Sequence, residues 1–431
     1  MGVINHILSF LTLKKSAQTS VLSKRWRILF AFSPTLDLLP YKNQMRRPRF
    51  LRFVERVLYV SGNSSIKKFS LSCCRKGYRT KLWLRDVLNR GGVLDLHLSL
   101  GVADADLPGE IFTCKTLVEL KLTGFCINEL PDDASLPALK KLFLNSVQFH
   151  SLPHVCAFAK LLSACPVLEE LVLVDLRWDL WKWSRSLSSP SLRKLTIRHR
   201  QFRGVNMSDF GSITIDTPSV THLDYEDLVP SSYLVVNLNS LVEANLDLVV
   251  TVDHGWNSRL AREGDNITCN PTDLFKGMRN VQIMNLLSPE SSEIFYLFRG
   301  AIPVFEKLFH LSITTELTAC WSGLVFLLNH CPNLETLTIK GPFHYDSSDS
   351  VCDCLSGYSF LLSCHLKVVK ITEYEGTTGE LLQLKHILEK LSRLELLEVS
   401  IWGTGDLKFQ TAKDLLMLPR ASSKCKIQVI N

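Results

Sequence analysis

The stretch Ala164-Cys165-Pro166-Val167-Leu168-Glu169-Glu170-Leu171-Val172-Leu173 constrains this chain more than any other, because variants of it recur along most of the sequence. Leu171 and Leu173 are two residues apart, so on a strand they point to one face, while Leu168 enters from the turn just before. One such unit cannot bury that face alone; stacked neighbours can. The first apolar position of each run falls at Ile66, Val93, Leu117, Leu139, Leu168, Leu192, Val220, Leu241, Val281, Leu308, Leu334, Leu366 and Leu394. The spacing averages about 27 residues and varies from 21 (Val220 to Leu241) to 40 (Leu241 to Val281). Short intervals predict loops behind the strands, long ones helices.

Helical periodicity shows in Val155, Phe158, Leu161 and Leu162 before Pro166, in Leu324, Leu327 and Leu328 before Pro332, and in Leu381, Leu384, Leu388 and Leu391 before Leu394. The pairs Cys165-Pro166 and Cys331-Pro332 are placed to end a helix and start the next strand, since proline cannot continue helical hydrogen bonding. That is a structural use of cysteine, not a redox one. Strand-forming leucine runs returned by helices or loops resemble leucine-rich repeats. The expected fold class is α/β: a leucine-rich-repeat solenoid, with a curved parallel β-ladder and helices and loops on the outer face.

Such an array escapes the size limit of a single core, so 431 residues set no domain count. Hydrophobic residues make up 46% and charged ones 21%, as in an ordered protein, and no window approaches the roughly 18 apolar residues of a membrane span. Met1 to Leu13 is apolar but lacks a basic n-region and a cleavage site, and His6 stands where a myristoylation motif has Ser or Thr. The thirteen cysteines are therefore expected to be reduced thiols in a cytoplasmic or nuclear protein. Residues 1–56 hold eleven Lys or Arg against Asp37 and Glu55, a basic head on a near-neutral body. That suits an acidic partner or a solvated face.

Within that head, His6-Ile7-Leu8-Ser9-Phe10-Leu11 is followed by Thr19-Ser20-Val21-Leu22-Ser23-Lys24-Arg25-Trp26, with Ala17, Val21 and Leu22 at helical spacing and Leu29 and Phe30 beyond. Over some 25 residues this closely resembles the F-box of plant F-box proteins. The resemblance implies a short all-α module that docks on the acidic adaptor subunit of a cullin-based ubiquitin ligase, here through Ile7, Leu8, Phe10, Leu11, Val21, Leu22 and Trp26. The family's opening Leu-Pro and acidic residues are absent and Thr12 stands where proline is usual, so the segment is expected to be a shortened F-box.

After Pro34 and Pro40 comes a connector carrying Arg46, Arg47, Arg49, Arg52 and Arg56, in which Phe50, Phe53, Val54 and Val57 are expected to form the buried face of a helix. No zinc finger or RNA-binding signature accompanies the arginines, so nucleic acid is not an expected partner. At the other end, Glu373-Tyr374-Glu375-Gly376 precedes Leu418-Pro419-Arg420-Ala421-Ser422-Ser423-Lys424-Cys425. This resembles the FBD domain that closes many plant F-box proteins. The expected organisation is a partial F-box over 1–33, a basic connector over 34–60, leucine-rich repeats over 61–345, and an FBD-like region over 346–431 continuing the ladder.

No GxSxG, HExxH, P-loop or dinucleotide fingerprint occurs, and neither an enzyme nor a cofactor is expected. Cys352-Asp353-Cys354 with Cys364 and His365 lacks the usual zinc spacing, so no metal is expected either. Trp178, Trp181 and Trp183 with Arg177 and Arg185 have the composition of an interface hot spot, though such aromatics also fill gaps beneath irregular loops. Taken with the resemblance, these features lead us to expect the substrate-recognition subunit of an SCF-type ligase, holding its adaptor by the F-box and an unidentified target protein by the repeats, with no membrane. The alternative is a repeat scaffold uncoupled from any ligase.

Overall fold

The computed structural model describes residues 11, 13–22, 33–38, 48–73, 78–100, 105–127, 129–149, 157–176, 185–199, 211–250, 267–316, 322–342, 364–402 and 406–430. They fall in two compact units, Met1–Asp209 and Phe210–Asn431.

In the first unit seven parallel strands pair in sequence order: β1 (Thr35–Leu38), β2 (Lys68–Cys73), β3 (Asp95–Leu100), β4 (Glu119–Thr123), β5 (Lys141–Asn145), β6 (Glu170–Val174) and β7 (Lys194–Arg198). In the second, eight do the same: β8 (His222–Leu228), β9 (Glu243–Val249), β10 (Ile283–Leu286), β11 (His310–Thr314), β12 (Thr336–Lys340), β13 (Val368–Tyr374), β14 (Leu396–Ile401) and β15 (Lys426–Ile430). Every one of the thirteen first apolar positions lies two residues before one of these strands. The two strands without such a start are β1, where Ser33 takes the position, and β15, where Lys424 does.

Register turns the leucine pattern into columns. Leu142, Leu171 and Leu195 are mutual partners, as are Leu144, Leu173 and Ile197, and Leu139, Leu168 and Leu192 close the column below; all nine are buried. The turns are tied by a repeated hydrogen bond. The carbonyl of the residue before one strand accepts the two N–H groups that open the next: Leu94 O from Val118 and Glu119 (2.7 and 3.0 Å), Lys140 O from Glu169 and Glu170 (both 2.9 Å), Lys367 O from Glu395 and Leu396 (2.8 and 3.0 Å).

Strands end by a second shared device. The residue after β4, β5, β6 and β12 has positive φ: Gly124 (+75°), Ser146 (+51°), Asp175 (+46°) and Gly341 (+103°). In the first three, its N–H donates to the last carbonyl of the next strand, at Asn145 (2.9 Å), Val174 (2.9 Å) and Arg198 (2.7 Å). Small side ladders then follow, such as Ala105–Asp106, Phe125–Ile127 and Gln148–Phe149 in the first unit.

Helices return the chain where intervals are long. Among the described residues they are α1 (Leu13–Gln18), α2 (Pro48–Ser61), α3 (Tyr78–Asn89), α4 (Ala157–Ser163), α5 (Thr272–Gly277), α6 (Pro289–Leu297), α7 (Ser322–Asn329), α8 (Thr378–Leu388) and α9 (Asp406–Leu416). In α2, Val54 and Val57 are buried and Phe50 is half-buried, whereas Phe53 is exposed: only part of the apolar side meets the ladder. In α4, Phe158, Leu161 and Leu162 are buried, and Phe158 meets Phe149 edge-to-face at 5.4 Å; Val155 lies outside the described residues. Leu324, Leu327 and Leu328 are buried in α7, and Leu384 and Leu388 in α8, while the buried Leu391 falls just beyond the helix. Cys165 and Cys331 follow α4 and α7 and donate to the carbonyls of Leu161 (3.2 Å) and Leu327 (3.1 Å). Burial pushes the Cys165 thiol up to about 12 and Cys331 upward as well, so both stay protonated packing groups.

Candidate partner-binding surfaces

The face of each ladder opposite the leucine columns carries alternate side chains. In the first unit one row runs Lys68, Asp95, Glu119, Lys141, Glu170 and Lys194 across six strands. Lys141 Nζ lies 3.2 Å from Glu170 Oε2, and Glu119 takes both Lys121 and His97, the latter at 3.1 Å. Partial burial, then the nearby Lys121, hold His97 below its ordinary value and outweigh the Glu119 carboxylate. Glu119 is itself lowered: burial works against this, but the bonds to Lys121 and His97 prevail.

In the second unit a polar row crosses eight strands: Asp224, Asn245, Asn285, Ser312, Thr338, Lys370, Glu398 and Gln428. Asn285 Nδ2 donates to Asn245 Oδ1 at 2.7 Å, His310 Nε2 lies 3.3 Å from Thr338 Oγ1, and Lys370 pairs with Glu398 at 3.2 Å. Burial, then Lys370 and Lys340, lower His310. Cross-bonded side chains on a fixed strand spacing present donors and acceptors at set positions.

The sequence-based candidates divide between described and undescribed segments. Leu11 is half-buried; Val21, which ends the short 3₁₀ turn after α1, and Leu22, which follows it, are 85% and 66% exposed. Ile7, Leu8, Phe10 and Trp26 lie outside the described residues, as do Arg177, Trp178, Trp181 and Trp183. Arg185 opens the short strand Arg185–Ser188, which lies beside α4, but its side chain is also outside them. Cys352, Asp353 and Cys354 lie outside them too, and among the described residues no three metal-ligating side chains converge. No described helix is long and apolar enough to cross a membrane.

A set of exposed apolar residues escaped the sequence reading. Phe409, Leu416 and Met417 stand at i, i+7 and i+8 along α9 and just past its end, and Trp402 follows β14; all four are exposed. Their signal was an apolar face on α9 opposite its buried Thr411 and Leu415, with no leucine run to mark it.

The Tyr-Glu-Gly motif has a mechanical role. Glu373 and Gly376 adopt φ of +59° and +80° around the fully buried Tyr374. The turn aims the N–H groups of Gly376 and Thr377 at the buried Glu380 carboxylate (2.8 and 3.1 Å), while Thr377 Oγ1 accepts from the Glu380 N–H at 3.2 Å. This capping box starts α8.

Over residues 80–226 the chain matches the family model described as FBD-associated F-box protein At5g56370, LRR repeats. It is 47% identical to F-box/LRR-repeat protein At3g58980 of Arabidopsis thaliana over 99% of this chain and 72% of that one. With F-box/LRR-repeat protein At3g62440 of the same plant, identity is 43% over 100% and 98%. The chain belongs to the F-box/LRR-repeat family. For both relatives the identity of this F-box/LRR-repeat chain extends over nearly all of its own length. A solved leucine-rich-repeat protein of Leptospira interrogans matches 90% of the chain and 99% of its own at 17% identity and TM-score 0.31. The strand register, not that loose likeness, establishes the fold.

Proposed function

We propose that this chain is the substrate-recognition subunit of an SCF-type, cullin-RING ubiquitin ligase. In this reading the F-box segment, residues 1–33, docks on the acidic adaptor subunit through Ile7, Leu8, Phe10, Leu11, Val21, Leu22 and Trp26. The repeats hold a target protein, with Arg177, Trp178, Trp181, Trp183 and Arg185 as candidate anchors. Such a receptor performs no chemistry; it raises the effective concentration of target lysines near a ubiquitin-charged enzyme, which is a task for two binding faces. The names of the relatives support the reading, and the observation that carries it is the exposure of Val21 and Leu22 within a family whose name includes the F-box. Apolar side chains left in water at a motif made for docking suit a partner.

Co-expression with the adaptor tests this. Wild-type chain should co-purify with it, and Val21→Asp with Leu22→Asp should remove the adaptor while leaving the melting temperature nearly unchanged, because side chains so exposed hold little of the fold. Failure of the wild-type chain to capture the adaptor would favour the free scaffold.

A further inference from the structure

The turns preceding β13, β14 and β15 enclose a cleft of about 360 Å³, within the size range of small-ligand sites. His365 and Lys367 line it from the first turn, Arg393 and Glu395 from the second, Ser423 and Lys424 from the third. The frame is fixed by the repeat's own hydrogen bonds: Lys367 O accepts from Glu395 N at 2.8 Å, and Glu395 O from Lys426 N at 2.9 Å. Three successive turns thus present side chains on a set spacing.

The charges do not cancel locally. Glu335 bonds Lys367 at 2.5 Å, and Glu395 adds its attraction to the same ammonium group. Glu335 thus pairs with Lys367, while Arg393 and Lys424 make no ion pair among the described residues. Lys424 carries a second signal. It occupies the position that thirteen other repeats fill with Leu, Ile or Val, and it is exposed while its neighbour Cys425 takes the packing. An apolar anchor of the repeat has been exchanged for a cation at the cleft.

We propose that this cleft binds a phosphate monoester, with Arg393 and Lys424 as its charged donors and Ser423 and His365 as further hydrogen-bonding groups. Two cations that form no ion pair among the described residues, beside hydroxyls, match a group with a charge of about −1.5 to −2 and three acceptor oxygens better than they match a single carboxylate. The inference does not depend on ligase assembly, so it stands or falls separately from adaptor docking.

The test is a titration of the full chain with two probes, N-acetyl-O-phosphoserine amide and glucose 6-phosphate, followed by the ³¹P resonance. At least one should bind saturably; preference for the first identifies phosphorylated protein as the source, preference for the second a phosphorylated metabolite. Arg393→Gln and Lys424→Gln should each weaken binding about tenfold or more, as expected for a lost charge-assisted hydrogen bond. Both positions are on the surface, and an unchanged melting temperature would show the variants folded. Absence of saturable binding by either probe to the wild-type chain overturns the proposal. So does equal competition by N-acetylglutamate amide, which needs no variant, or a folded double variant that binds like wild type.

Discussion

Leu171 sits in the middle of a column, between Leu142 and Leu195, with no measurable exposure. Truncating it removes contacts to both neighbours at once and leaves a hole that two strands cannot close together, since each is tied at its turn. Leu171→Ala should therefore cost about 2–5 kcal/mol in denaturant unfolding, and a tolerated Leu171→Asp would contradict the column. Polar positions respond to pH instead. His97 and His310 are both held below their ordinary value of 6.5, first by burial. Between that value and the lowered folded one, the unfolded chain binds more protons, so stability is present above about pH 6.5 and is lost as pH falls through the folded values. Melting temperatures measured from pH 7.5 to 5 should drop, and the drop should be shallower in the double variant His97→Gln, His310→Gln. An unaltered slope would show that these imidazoles play no part.

An element of this ladder is a strand with its two ends, and the ends are less legible in sequence than the middle. Each leucine run announced its strand because an apolar first position and period-two alternation coincide there. Where the first position is Ser33 or Lys424, the alternation of Leu36 with Leu38, or Ile427 with Val429, was too short to stand out, and β1 and β15 went unread. The left-handed residue that ends several strands was hidden for another reason: Gly124, Ser146, Asp175 and Gly341 share a backbone geometry but not a residue type. The candidate docking residues were legible only as a family resemblance, since the exposure of Val21 and Leu22 is a property of the folded chain. At the strand ends, geometry makes a sharp claim. A Cβ on Gly124 would lie 2.2 Å from the Leu100 carbonyl oxygen, at φ +75°. Left-handed backbone alone costs a side chain about 1–2 kcal/mol, so Gly124→Ala should lose at least that much, whereas Ser146→Gly should be neutral or stabilising. Equal tolerance of both substitutions, judged by thermal melting, would remove the shared turn as a cause.

At the scale of the molecule, a stack of repeats must end somewhere, and the ends determine how much of it stays folded. In the first unit β1 covers the edge of β2: Leu36 pairs with Phe69 and Leu38 with Leu71, all four buried, and Pro34 O accepts from Lys67 and Lys68 (2.8 and 3.0 Å). α1 lies beside β1, with Ser16 fully buried. Two deletions separate what these pieces do. Removing residues 1–33 takes away α1 but leaves Pro34 and the strand, so the apolar columns keep their end cover and melting should fall by only a few degrees. Removing residues 1–38 bares Phe69 and Leu71 and strips β2 of its partner. Each fully exposed side chain of that size forfeits about 1.5–3 kcal/mol, and nearest-neighbour coupling passes the loss to β3. The longer deletion should therefore melt well below the shorter one and show early hydrogen exchange in β2. Coincident melting of the two would mean that β1 is an ornament of the array; collapse on the shorter deletion alone would make α1 its cap, with docking and capping then drawing on the same short segment.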